Sequence, residues 1–439
     1  MRPNLPGLPG EAPSPVRHLP LAALPPLYLL LARFDSTNMN IYLIFLIYTT
    51  IVAISCLYLF LNRTGGFHPP LLFGTAILSA LPLIAAGPVF SVDILRYAWE
   101  GRVQNLGFNP YVYPPAHPMF ESETLNRGVD LPGMTAVYQP LALMAFRLLA
   151  AIAPLPAFFK AIFFCFALGT ARLLMLDKRS FGTIGAFFCL LPLTLIEIGW
   201  SGHLDVIGIF FLVFAVRLLK QNRGFLCGLM LACSAGTKFL PLILAPAFFL
   251  RMPRGERAWF VAGLSAFPLM HIPFLDAGYG LVRSLSLYSV YWAHNGFLYN
   301  ALDWFGLPNL TVRLTLLCVF GVIWFFLQLR VRNVVDLIFL TFLALILCSP
   351  TAFPWYLLWL VPFGLRRFPV TTIVFLSGSF YTYWTEAVFL DTGVRYESAL
   401  IRNLEYSAAL ATLCFEFMIL RLAGYRLFRR SGHPTGHLK

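Results

Sequence analysis

Residues 41–61 read IYLIFLIYTTIVAISCLYLFL, twenty-one positions without one charged side chain. A helix of that length rises about 30 Å, the thickness of a bilayer's hydrocarbon core. The stretch is apolar on every side. It therefore lacks the polar stripe that a helix on the surface of a water-soluble protein needs. The same signature recurs along the chain. Of its 439 residues, 59% are hydrophobic and only 12% charged, and the mean hydropathy is +0.75. A water-soluble domain carries about 25% charged residues. The expected fold is all-α, a polytopic transmembrane helical bundle. No large water-soluble domain fits in the remaining sequence.

About 13 spans are expected, at 41–61, 70–89, 157–176, 181–198, 204–219, 224–236, 239–250, 258–275, 309–329, 333–348, 354–365, 369–389 and 404–422. Several are too short for a straight crossing and must pack in pairs inside the bundle. The net charge of +13 resides largely in short connections, such as Arg217, Lys220 and Arg223, or Arg251, Arg254 and Arg257. By the positive-inside rule these connections face the cytoplasm. A charge scattered in this way is a topology signal and excludes a nucleic-acid-binding patch. The connections 90–136, 199–203, 276–308 and 390–403 then lie outside, and they hold most of the acids. The apolar segment 137–153 breaks the alternation and reads as a re-entrant or interfacial helix. Residues 1–38, interrupted by Pro20, Pro25 and Pro26, read as a disordered or misassigned N-terminal extension. Residues 39–430 form the bundle, and 431–439 a cytoplasmic tail. The eight cysteines fall in apolar segments without metal-ligand spacing and read as small core residues.

The longest polar stretch, from Ser91 to Thr135, follows the second span, and its most informative part reads SVDILRYAWEGRVQNLGFNPYVYPP, residues 91–115. Asp93, Arg96 and Glu100 recur at helical spacing and share one face. Tyr97 and Trp99 suit a membrane–water interface. An interfacial helix with an internal ion pair accounts for this pattern, and so does a catalytic acid presented at the membrane surface. Three further segments fall on the same side. Gly202-His203-Leu204-Asp205 puts an imidazole and a carboxylate at the mouth of two spans, where ionisable groups are costly unless paired or functional; Asp205 as a helix cap is the alternative. Gly236-Thr237-Lys238 puts a lone cation on the acid-rich side, either as partner of an acid or as a point charge for phosphate. Phe353-Pro354-Trp355-Tyr356-Leu357-Leu358-Trp359 reads either as a membrane aromatic belt or as the wall of a sugar or lipid pocket.

Taken in order, these segments resemble the GT-C superfamily of polyprenyl-phosphate-sugar-dependent glycosyltransferases, and within it the bacterial mannosyltransferase-like proteins. Asp93, Arg96, Tyr97, Trp99, Glu100, Gly101, Arg102, Gly107, Asn109, Pro110 and Tyr111 match that family's first motif. Tyr138-Gln139-Pro140, Gly202-His203-Leu204-Asp205 and the 353–359 segment resemble its later ones. Val92 stands where relatives often carry a second acid, Leu204 where Asn is common, and Phe353 where His is common.

The resemblance implies a hexosyltransferase, with mannose the expected sugar, in the bacterial inner (plasma) membrane. It would use a polyprenyl-phosphate sugar donor and a glycan or lipid acceptor on the extracytoplasmic face, leaving the C-terminus cytoplasmic. Transfer would invert the anomeric centre with Asp93 as general base. Arg96, Arg102 and Lys238 would take the donor phosphate. Glu100, Tyr111, His203, Asp205, Trp292, Asn295, Trp355 and Tyr356 would hold sugar or acceptor. No metal ligand is assigned and no cofactor is fixed, although a divalent cation is compatible with the class. A polytopic transporter and an envelope-polymer ligase or polymerase are the competing readings.

Overall fold

The computed structural model describes residues 15–35, 39–62, 67–124, 127–177, 182–425 and 427. Among them no strand forms. The β pairing found is a pair of isolated bridges from His294 and Asn295 to Thr351. The helices that position the site are α1 (Leu24–Leu31), α2 (Ile41–Leu61), α3 (Pro69–Ala85), α4 (Asp93–Asn105), α5 (Pro140–Ile152), α6 (Pro156–Leu176), α7 (Asp205–Lys220), α8 (Gly224–Ala235), α9 (Arg257–Leu264), α10 (Gly280–Tyr291), α11 (Asn309–Arg330), α12 (Val334–Cys348), α13 (Pro369–Ser379) and α14 (Ala399–Leu422).

Four of them, α2, α6, α11 and α14, are long and apolar enough to cross a membrane. Local sequence sets their starts. The Asn40 side chain accepts a hydrogen bond from the Leu43 amide at the head of α2, and Ser398 does the same for Ile401 at the head of α14. Pro156 opens α6, where its missing N–H costs nothing. In α2, Ile44, Ile47, Tyr48, Ile51 and Tyr58 are buried while Tyr42, Leu46, Leu57 and Phe60 are exposed. An apolar outer face of this kind is stable against lipid and unfavourable against water.

Several of the shorter expected spans are interrupted helices. Residues 182–200 form a 3₁₀ run, Gly182–Leu190, then Pro192–Thr194 and a π-helical turn, Leu195–Trp200. The 354–365 segment is a 3₁₀ turn, Pro354–Trp359, followed by the short helix Val361–Gly364. The segment 369–389 is divided by a 3₁₀ turn, Phe380–Tyr383. Proline and close ring packing break these helices, and each break lies inside protein, where neighbours can satisfy the freed backbone. Residues 15–35 also depart from a disordered tail: Leu21, Leu24, Tyr28 and Leu31 are fully buried in the core. Residues 1–14 and 36–38 of that extension, the basic positions 63, 178–179, 426 and 429–430, and the tail 431–439 lie outside the described residues.

The segment read as re-entrant or interfacial is the helix α5, and it packs tightly on α4. A Cβ at Gly101 would stand 2.2 Å from the Phe146 carbonyl oxygen and 2.7 Å from the Ala150 methyl. Tyr97 stacks on Phe146 with ring centroids 4.6 Å apart. Glycine at 101 thus permits the backbone contact that fixes the angle between the two helices.

Candidate active site

Asp93 is the first residue of α4, where a carboxylate complements the positive end of the helix. The Tyr138 hydroxyl, two residues before α5, donates to its Oδ2 at 3.3 Å. His203 Nδ1 lies 3.8 Å from the same oxygen. About a third of the Asp93 side chain (34%) remains exposed. Its surroundings are nonetheless mostly protein, and burial raises its carboxyl above the ordinary value. The charges of Arg96 and Lys238 and the Tyr138 hydrogen bond pull it back down.

The other acids nearby are closed. Asp205 opens α7 and is completely buried. Lys238 Nζ donates to both of its oxygens, at 2.7 and 2.8 Å, and Trp359 Nε1 donates to Oδ1 at 2.6 Å. Glu197, on the π-helical turn, is also fully buried; the Tyr383 hydroxyl lies 2.8 and 3.0 Å from its two oxygens. Glu100 is buried too, and its nearest charge is Arg96 Nη1 at 3.6 Å. Burial raises Glu100 to about 8, against the opposing charge of Arg96.

His203 stands between two of these acids. Its Nε2 lies 3.4 Å from Glu197 Oε2 while Nδ1 faces Asp93. Neither contact has hydrogen-bond geometry. Burial, helped by the Lys238 charge, holds the imidazole well below its ordinary pKa, and hence neutral. Its ring stacks on Trp355 at 3.9 Å, Trp355 on Phe353 at 4.3 Å, and Phe353 on His294 at 4.3 Å. Four rings thus form one continuous stack. Phe353 joins Trp355 to His294 within it.

Lys238 retains capacity beyond its ion pair. Its ammonium has three donors, two of which engage Asp205. Its side chain is 21% exposed. It lies 4.5 Å above the Tyr356 ring, whose hydroxyl shares a 2.7 Å hydrogen bond with Tyr288. Asp93, His203, Lys238, Trp355 and Tyr356 therefore form one linked group, drawn from four separate segments.

The remaining predicted residues take other places. Arg96 directs its guanidinium to the carbonyls of Asp130, Leu131 and Met134, at 2.6, 2.9 and 3.0 Å, and so clamps the connection before α5. Arg102 lies 3.9 Å from Glu123, and its side chain is 43% exposed. The Tyr111 hydroxyl donates to the Tyr138 carbonyl at 2.5 Å, which anchors the residue that touches Asp93. Trp292 stacks on Tyr288, and its carbonyl accepts from Thr351. Asn295 is buried with φ +53, and its amide donates to Glu405 at 2.9 Å.

Sequence reading passed over Glu197, Tyr288, Tyr383 and Lys160. Lys160 Nζ donates to the Ala86 carbonyl at 2.8 Å from within α6, and its stem would touch any Cβ placed on Gly202. The signal available was a single lysine inside the apolar run 156–176, where charge is expensive.

No curated protein and no solved structure matches the chain. The sequence profile of the alpha-(1→6)-mannopyranosyltransferase family, N-terminal domain, matches residues 19–254. That span is more than half of the chain, and it contains Asp93, Glu197, His203, Asp205 and Lys238. On this match the chain belongs to the alpha-(1→6)-mannopyranosyltransferase family.

Proposed function

We propose that the chain transfers mannose from a polyprenyl-phosphate donor to a glycan or lipid acceptor on the extracytoplasmic face of the plasma membrane, with Asp93 as the general base. The observation that carries this reading is the contrast among the acids. Asp93 is partly open to a substrate, whereas Glu100, Glu197 and Asp205 are closed off. In the reaction, the acceptor hydroxyl gives its proton to Asp93 as its oxygen attacks the anomeric carbon. The bond from that carbon to the phosphate oxygen breaks, and its electrons stay on the departing lipid phosphate. A single displacement of this kind inverts the anomeric centre.

The third donor of Lys238 is free to meet the phosphate as its charge grows. His203, kept neutral, presents a polar edge to Asp93 and is held flat by Trp355. Tyr138 positions the carboxylate and favours its ionised form. Arg96 and Glu100 support the helix and its following connection, and we assign them no contact with substrate.

The test is transfer by the purified chain, in liposomes, from polyprenyl-phosphate mannose to a mannose oligosaccharide. Transfer with an inverted product is expected. Strict preference for a pyrophosphate-linked donor, or solute flux without transfer, would contradict the reading.

A further inference from the structure

A cavity of about 840 Å³ opens at the far end of α4 from Asp93. Its walls are the last turn of α4 with the connection that follows, one face of α5, and the turn at 272–277. Asn105, which lines it, lies roughly 18 Å along α4 from Asp93, at about 1.5 Å of rise per residue. Between them Trp99, Glu100, Val103 and Gln104 are buried, so the cavity is a site apart from the reaction just described. Its polar floor holds charges of both signs. Arg147 of α5 is exposed, and its guanidinium has no partner among the described residues. Asp276 accepts from the Asn109 amide through Oδ1 at 2.7 Å, which leaves Oδ2 open. The Asn105 amide donates to the Arg147 carbonyl at 3.1 Å, so the Asn105 side-chain oxygen remains an acceptor.

The rim is apolar. Leu148, Ala151 and Ile152 share an exposed stripe at the end of α5. Ile272 and Leu275 are exposed on either side of Pro273 and Phe274, which line the cavity. Such a rim is unfavourable against water and stable against acyl chains. A floor with two opposite charges under an apolar rim matches a phospholipid, and the charges select its head group. A phosphate accepts a two-bond contact from the Arg147 guanidinium. An anionic phospholipid offers nothing to Asp276, which repels its charge. A choline head group brings a cation without N–H donors. An ethanolamine head group brings an ammonium with three donors, for Asp276 Oδ2 and the Asn105 oxygen. We propose that this cavity binds a phospholipid with a zwitterionic ethanolamine head group, its phosphate at Arg147, its ammonium at Asp276 and its acyl chains along the apolar rim. The site is independent of the role given to Asp93.

The experiment titrates the full chain, purified in detergent, with dioleoyl phosphatidylethanolamine, phosphatidylcholine and phosphatidylglycerol. Bound lipid is read by native mass spectrometry and by the rise in unfolding temperature that binding to the folded state produces. The ethanolamine lipid should bind about tenfold more tightly than the other two, the worth of one hydrogen bond to a charged group. Arg147→Ala should weaken its binding by about the same factor, and Arg147→Lys should recover part of the loss. Asp276→Asn keeps an oxygen for the Asn109 amide and removes the charge. That variant should lose the preference, with the glycerol lipid binding as tightly as the ethanolamine lipid, a change that a merely structural role for Asp276 does not produce. Equal binding of the three lipids by the wild type would overturn the proposal, as would a preference unchanged in Asp276→Asn or binding indifferent to Arg147→Ala. Displacement of the bound lipid by an equal concentration of soluble phosphoethanolamine would overturn it as well, by assigning the cavity to a free zwitterion. None of these measurements reads transfer, so the lipid site and the Asp93 assignment fail separately.

Discussion

Lys238 serves two roles that a pair of variants can separate. It supplies two of the three hydrogen bonds on the carboxylate of Asp205, which has no exposed surface. Lys238→Ala leaves a buried charge with Trp359 as its remaining donor. Removing one member of a buried ion pair costs about 3–5 kcal/mol. Because Lys238 is itself a fifth exposed and the Trp359 bond persists, the loss should sit near the lower end, about 3 kcal/mol. Adding Asp205→Asn removes the stranded charge, and the new amide oxygen still accepts from Trp359. The double variant should therefore regain most of the stability, read by denaturant unfolding in detergent through tryptophan fluorescence. Its use of the lipid-linked donor should not recover: loss of one charge-assisted contact to the phosphate lowers kcat/KM roughly tenfold to a hundredfold. A double variant that regains both stability and donor use would show Lys238 to be purely structural. A single variant that loses under about 1 kcal/mol would refute the ion-pair account.

The acid limb of kcat/KM should lie above the ordinary carboxylate range, because burial raises Asp93 and a base acts only when ionised. Tyr138→Phe removes a bond that favours the ionised form, so the limb should move to still higher pH; a move to lower pH would contradict the geometry. Glu100 stands at about 8 in the folded chain against an ordinary 4.5. The folded state thus holds its proton more tightly, and stability should decline from about pH 4.5 to about pH 8 and then level off. Glu100→Gln should abolish that decline and exceed the wild type above the window; an unchanged profile would refute it. Gly101→Ala should drive the backbones of α4 and α5 apart, costing about 3 kcal/mol, the upper end for overpacking. It should lower transfer by displacing Tyr138 from Asp93, and a normal melting profile would show that the contact is not tight.

The long apolar helices were legible because a lipid-facing span must be apolar on all sides, and α2 and α11 are. The broken segments were not. Whether 369–389 runs straight or divides at Phe380–Tyr383 depends on rings packed from elsewhere: Phe90 stacks on Tyr383 and Tyr48 on Phe380. Local sequence carries none of that. Residues 15–35 looked incapable of order because prolines interrupt them, yet Pro25 and Pro26 sit in the first turn of α1, where proline is tolerated. At the site, Asp93, His203 and Lys238 stood out as ionisable groups at the ends of apolar runs. The shared helical face of Asp93, Arg96 and Glu100 suggested three substrate contacts. The connection 130–134 folds back over Arg96, and α5 packs against this helix, which burial cannot reveal from spacing alone. Glu197 and Lys160 were hidden inside apolar runs, and their partners lie 186 and 74 residues away.

The central claim is that the Asp93 carboxylate removes the acceptor proton. The most direct measurement is single-turnover transfer by Asp93→Asn from polyprenyl-phosphate mannose in liposomes, alongside an unfolding profile of the same preparation. Asparagine keeps the shape and can still accept from Tyr138, so the profile should match the wild type. Transfer should fall by about 10²–10⁴-fold, the contribution of a general base. Transfer near the wild-type rate from a normally folded variant would contradict the claim.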